Sequence, residues 1–106
     1  MGLQVELYVG GRRVHGLPDP SGGLFDAAGD FDRLLSRADP VPGLLGAVDP
    51  HGETRFGASR MRALVAEVEV LLTRAADGSE RRGVMRLRAM AEYCAEQEGE
   101  LVFAGD

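Results

Sequence analysis

Four polar residues at alternate positions, Asp49, His51, Glu53 and Arg55, make the densest cluster of reactive side chains in the chain. A carboxylate, an imidazole and a second carboxylate at this spacing can hold a metal or move a proton. A calcium loop of the EF-hand type needs its glycine at the sixth position and a distant acidic ligand, whereas Gly52 stands at the fourth. The same stretch explains itself as a turn. Asp at the first position, Pro at the second and Gly at the fourth are type I turn preferences. A turn is therefore the first expectation for 49–52. The alternative is a small-molecule or small-enzyme site between the 18–23 loop and the 49–55 turn, with Asp49, His51, Glu53 and Arg55 as its polar groups.

The second constellation is basic. Arg74, Arg81, Arg82 and Arg86 gather about the Asp77-Gly78 chain reversal. They can bind an anion or an acidic protein there, or they can pair with carboxylates elsewhere in the fold. Other chemistries lack their residues. Cys94 is the single cysteine, so it has no internal disulfide partner and reads as a small buried hydrophobe. Two histidines far apart make no conventional zinc cluster. Pro18-Asp19-Pro20-Ser21-Gly22-Gly23 lacks the Lys and the Ser/Thr of a phosphate-binding loop and reads as a structured loop. Ser59 and Ser79 read as helix N-caps, and neither sits in a glycine-flanked elbow. No catalytic residue, metal or cofactor is assigned.

The elements that position these groups follow from periodicity. Met61, Leu64, Val65, Val68, Leu71, Leu72 and Ala75 recur at three and four, so the spacing predicts a helix from about 58–59 to Ala76, with Arg60, Glu67 and Arg74 on its opposite face. Asp77-Gly78 ends it, with Gly78 taking the left-handed conformation. Ser79 opens a second helix with an apolar stripe of Val84, Leu87, Met90, Ala91 and Cys94, stopped by Gly99. The short connection makes the pair antiparallel. On the second helix Arg81, Arg82, Arg86 and Arg88 crowd the N-terminal half, and Glu92, Glu96 and Glu98 the C-terminal end. That order opposes the helix macrodipole, and a local rule broken without visible compensation is a place to look for function.

Leu3, Val5, Leu7 and Val9 alternate with polar residues as a half-buried strand. Gly10-Gly11 is a hairpin turn, and Arg12 to Leu17 is its return strand, with His15 structural or exposed. Asp26 caps a short helix over Ala27 to Arg37, with Phe31, Leu34 and Leu35 inward. Leu44 to Val48 is a third strand and Glu53 to Phe56 a fourth. Leu101 to Ala104 is a last strand, whose edge can be covered in a homodimer. The expected class is α+β: an antiparallel or mixed sheet of about five strands packed on a helical hairpin plus one short helix.

At 106 residues the chain is one domain, 1–106, large enough for a single core without disulfides or structural metal. Its net charge is −5. Residues 1–54 hold four Arg against eight acids, 55–88 eight against four, and 89–106 five acids alone. Nucleic-acid binding is disfavoured, because it needs a net basic face. No apolar run is long enough for a membrane span, and the N-terminus lacks a signal-peptide pattern, so a cytoplasmic location is expected. All twelve basic residues are arginine, and Lys, Ile and Asn are absent. Codons rich in A and T encode those three, so a high-GC genome explains the bias better than phosphate recognition does.

The segments Pro18-Asp19-Pro20-Ser21-Gly22-Gly23, Asp26-Ala27-Ala28-Gly29-Asp30-Phe31-Asp32, Val48-Asp49-Pro50-His51-Gly52 and Phe103-Ala104-Gly105-Asp106 resemble a family of small, functionally uncharacterised actinobacterial proteins, over most of the chain. The shorter pattern of an Asp-Pro-x-Gly turn, an amphipathic helix pair and a terminal Gly-Asp strand also resembles small immunity-type proteins encoded beside bacterial toxins. The second likeness implies a protein partner, a toxin. Neither likeness transfers a catalytic residue. The expected function is protein binding, immunity-like or regulatory, with segregated charge steering the partner.

Overall fold

The computed structural model describes residues 4–26, 28–30, 43–49, 51–74 and 78–105. Strand β1 (Gln4–Val9) turns through Gly10 and Gly11 into β2 (Arg12–Arg13). Both glycines have positive φ, 59° and 78°, as a two-residue primed hairpin turn requires. The chain then leaves this sheet. β3 (Gly16–Pro18) and β4 (Leu24–Asp26) form a separate antiparallel hairpin, and β5 (Ala28–Asp30) returns to pair with Gln4–Glu6 of β1. A short helical turn, α1 (Gly43–Gly46), precedes β6 (Glu53–Gly57). A 3-10 turn (Ala58–Arg60) leads into α2 (Met61–Arg74), followed by α3 (Gly78–Gln97) and β7 (Glu100–Ala104).

The main sheet has five strands, in the order β2-β1-β7-β6, with β5 beside β1. Every pairing in it is antiparallel. The last strand in sequence is thus central, between β1 and β6, and the edge expected at 101–104 lies instead at β6. One face of the sheet carries Val5, Leu7, Leu101, Phe103 and Phe56, all buried. Phe56 and Phe103 meet edge to face, with ring centroids 5.6 Å apart. The helix pair covers this face. Met61, Leu64, Val68 and Leu71 of α2 and Val84, Leu87, Met90, Ala91 and Cys94 of α3 are its buried stripes, at the spacing read from sequence. Leu17 and Phe25 of the β3–β4 hairpin and Leu45 of α1 join the same core. The architecture is α+β, as expected.

Several local expectations are corrected. Leu44 to Val48 is no strand: Gly43–Gly46 is helical, and Ala47 N and Val48 N donate to Leu44 O and Leu45 O at 3.1 and 3.3 Å. The cause is Glu67 of α2, whose two carboxylate oxygens each accept a backbone N–H, from Leu44 and Leu45, both at 3.0 Å. Gly43 makes the approach feasible. Its φ is +73°, and a Cβ there would sit 2.5 Å from Glu67 Oε2. Glu67, expected on the free face of its helix, is therefore a tertiary cap. Asp26 caps no helix. It ends β4 and accepts from Arg13 Nη2 at 3.0 Å, while 28–30 are strand; the remainder of the helix expected to Arg37 lies outside the described residues. The return strand from Arg12 to Leu17 breaks after Arg13, because Leu17 is buried with Phe25 in the second sheet, and His15 is exposed at the break.

The caps differ as well. Ser59 lies inside the 3-10 turn, whose N-cap is Gly57 with no side-chain bond. Gly78 is the first helical residue of α3, so it takes no left-handed conformation, and Ser79 lies within the helix. At the other end Gly99 N donates to Cys94 O at 2.8 Å, a six-to-one closure, and the left-handed residue is Glu98, with φ 54°. Glycine is needed at 99 for another reason: a Cβ there would collide with the Tyr8 carbonyl oxygen of β1.

Candidate functional site

The antiparallel helix pair places the last turn of α2 beside the first turn of α3, and the arginine cluster sits at this junction. Arg81 Nη1 donates to Leu72 O of α2 at 3.3 Å. It supplies a donor to one of the four carbonyls that the end of α2 leaves unsatisfied, and its charge complements that helix's negative pole. Arg88 pairs with Glu69 of α2 and with Glu92 one turn on, each at 3.0 Å. Glu92 and Glu96 share a groove with Ala58, Met61 and Arg62, so acidic groups stand beside the positive start of α2. Charges that run against the dipole of α3 thus suit the dipole of its neighbour.

Arg86 is held from the 18–23 loop. Its Nε and Nη2 donate to Asp19 Oδ2 at 2.9 and 2.6 Å, and its guanidinium lies over the Phe25 ring, 5.2 Å from the centroid. The other oxygen of Asp19 accepts from the Ser21 backbone N–H and hydroxyl at 2.9 and 2.8 Å. The loop closes with Asp19 N donating to Gly23 O and Gly22 N donating to Asp19 O, both at 2.8 Å. The Asp19 side chain is only 5% exposed. The Ser21 N–H above all, helped by the Ser21 hydroxyl and Arg86, holds its carboxyl below the usual carboxylate range against the opposing effect of burial. Asp19 is the organising residue of this side of the molecule, and sequence reading passed over it.

Arg74 and Arg82 differ from their neighbours. Both are exposed, and neither has an acceptor among the described residues. From Arg74 to Arg88 the chain holds five arginines against Asp77 and Glu80. This end of the hairpin is locally basic on a chain of net charge −5.

The residues of the alternative site separate into two groups. Asp49 and His51 belong to a turn: His51 N donates to Asp49 Oδ1 at 2.9 Å, Gly52 N to Asp49 O at 3.4 Å, and Asp49 N to Thr54 Oγ1 at 2.9 Å. Glu53 and Arg55 lie on β6 and point away from the helices. Arg55 bonds Glu53, and it donates to Glu100 of β7 at 2.8 Å. These contacts, Glu53 first, stabilise the arginine's charged form. The 18–23 loop and the 49–55 turn line none of the three described grooves together. Arg55 instead borders an open polar groove of about 570 Å3 with Tyr8, Gly10, Gly11, Glu98, Gly99 and Glu100. The Tyr8 hydroxyl there donates to Glu6 Oε2 at 2.9 Å, which raises its pKa. The groove's one cation is already matched by two carboxylates. Among the described residues no group of three or more His, Cys, Asp or Glu could hold a metal ion.

Cys94 is buried, and loss of hydration pushes its thiol up to about 11. At neutral pH it is a protonated packing group, not a nucleophile. No described helix is long and apolar enough to cross a membrane. No protein-family model, no curated protein and no solved structure matches the chain.

Proposed function

We propose that this is a small binding protein, immunity-like or regulatory, that holds an acidic protein partner at the turn end of its helix hairpin, where α2 gives way to α3. One observation supports the reading. Arg74 and Arg82 remain exposed without an acceptor among the described residues, while Arg81, Arg86 and Arg88 beside them are committed to contacts within the fold. Two guanidiniums with no acceptor among the described residues, one at the end of α2 and one near the start of α3, are a donor array for carboxylates. The acidic remainder of the chain would turn other acidic surfaces away and so orient the approach.

The test is affinity capture by the tagged full chain from lysate of a high-GC host, at low and at moderate salt. It is repeated with Arg74→Glu plus Arg82→Glu. Both side chains are exposed, so the double variant should stay folded, at a cost of about 1–2 kcal/mol for the acid placed in the last turn of α2. Capture of one stoichiometric acidic partner should weaken about tenfold or more, and should fall with salt in the unaltered protein. A captured toxin would make the role immunity. Capture that survives the double reversal removes the arginines from the interface and sinks the proposal.

A further inference from the structure

Among the described residues, strand β6 has an open edge. It pairs with β7 along its whole length, Glu53 opposite Ala104 through Gly57 opposite Glu100, and with no other described strand. Gly105 N donates to Gly52 O at 2.8 Å, which fixes the alternation of the ladder. Residues 52, 54 and 56 turn their backbone groups toward β7, so 53, 55 and 57 present N–H and C=O to the open side. No proline or bulge interrupts this edge, and the usual blocking residue, lysine, is absent from the chain.

We propose that this edge pairs, antiparallel, with the same edge of a second copy of the chain, Glu53 of each copy standing opposite Arg55 of the other. Three registers bring edge-facing residues of the charged stretch into line. One sets Glu53 against Glu53, and another sets Arg55 against Arg55. The register between them sets Glu53 against Arg55 twice, about a central pair of Thr54 residues. Only that one has charge complementarity, and like charges directly opposite oppose the other two. Both directly opposed pairs fall on residues whose backbone groups face the edge, so each exchanges two N–H···O=C bonds. Both side chains are half exposed, 57% for Arg55 and 50% for Glu53, and the pairs across the two copies add to the contacts that Arg55 makes with Glu53 and Glu100 of its own chain. The contact is isologous, as a two-fold dimer requires, and it closes the edge rather than propagating a fibre. It uses a different surface from the arginine junction, so either proposal can fail alone.

The interface is small, and the dimer is weak. Sedimentation equilibrium of the full chain, in a series rising to about 1 mM, reads it. The mass should climb from 11.3 kDa toward twice that value. Glu53→Arg alone and Arg55→Glu alone should each remain monomeric, because each places like charges opposite in every register. An equimolar mixture of these two variants should restore dimers, since each supplies the charges the other lacks. Circular dichroism checks that Arg55→Glu, which meets Glu100, stays folded. Glu53→Pro removes both the Glu53 carboxylate and an edge-facing N–H, spares the β7 ladder and should also give monomer. A wild-type chain that stays monomeric throughout the series overturns the proposal. So does a dimer that persists in both charge variants, or a mixture that fails to recover one.

Discussion

Glu67→Ala should be among the most costly substitutions of a charged, partly exposed residue, although its sequence position suggests a free helix face. The carboxylate accepts the N–H groups of Leu44 and Leu45, each at 3.0 Å. A hydrogen bond to a charged group contributes about 1.5–3 kcal/mol. Two would contribute about 3–6 kcal/mol if both donors stayed unsatisfied after truncation. They will not, because α1 is short and its donors can reach water once released. The expected loss is therefore about 2–3 kcal/mol, out of a total near 5–10 kcal/mol. For a domain of this size that lowers the melting temperature by roughly 10–20 °C. Glu67→Gln keeps one acceptor but turns an amide N–H toward a backbone N–H, so it should recover less than half of the loss.

Urea and thermal unfolding of the variants measure this directly. Gly43→Ala supplies the cross-check, since its Cβ would press on the same carboxylate. In the Glu67→Ala background the collision is gone and only the positive-φ strain remains. The two substitutions should then be less than additive, by about 1 kcal/mol or more. A Glu67→Ala protein that melts within about 2 °C of wild type, or strict additivity with Gly43→Ala, would refute the cap.

Four further outcomes are expected. Glu98→Gly should raise stability by about 0.5–1 kcal/mol in thermal melts, since it relieves a left-handed non-glycine residue, whereas Gly99→Ala should lower it by about 1–3 kcal/mol through collision with the Tyr8 carbonyl. The Asp19 carboxyl is held low in the folded state, so its stabilisation is present above about pH 4 and lost as pH falls through the folded value; the stability gap between wild type and Asp19→Asn should close in acid melts. Burial pushes the Cys94 thiol up to about 11, above its value in the unfolded chain, so stability should fall as pH rises from the ordinary thiol range toward 11, and a thiol reagent at neutral pH should label only at the rate of opening. Val68→Asp puts an unpaired charge at a fully buried position, a cost of several kcal/mol that should leave no cooperative melt.

What was legible in the sequence is what a long period encodes. The stripes of α2 and α3 bury four and five apolar residues at three-four spacing, and no distant contact overrules so much consistent burial. Gly10-Gly11 was legible because a two-residue hairpin turn demands positive φ. The failures fall where a short segment is decided from far away. Leu44 to Val48 is an apolar run too short to separate helix from strand by pattern, and Glu67 decides it from α2. The course of 14–26 is fixed by Leu17 and Phe25 entering the core and by Asp19 meeting Arg86, 67 positions along the chain. Ala28-Gly29-Asp30 has no strand-forming residue, and it is strand because β1 offers it an edge. At the end of α3 Gly99 reads as the helix stop, but it is the close approach of Tyr8 that requires glycine there, and Glu98 takes the left-handed position.

The charge order of α3 carries the same lesson into function. Read along one helix, arginines at the positive end and glutamates at the negative end look like stability surrendered for a site. In the folded hairpin each end of α3 lies against the opposite pole of α2. Arg81 reaches a carbonyl in the last turn of α2, Arg88 ties Glu69 to Glu92, and Glu92 and Glu96 stand beside the start of α2. The broken rule is a rule about isolated helices, and antiparallel packing answers most of it. The candidate site is therefore not the whole basic half of α3 but Arg74 and Arg82, the two arginines at the junction with no acceptor among the described residues. A reversal of those two charges tests recognition, whereas a reversal of Arg81 or Arg88 would confound recognition with the packing of the helix pair.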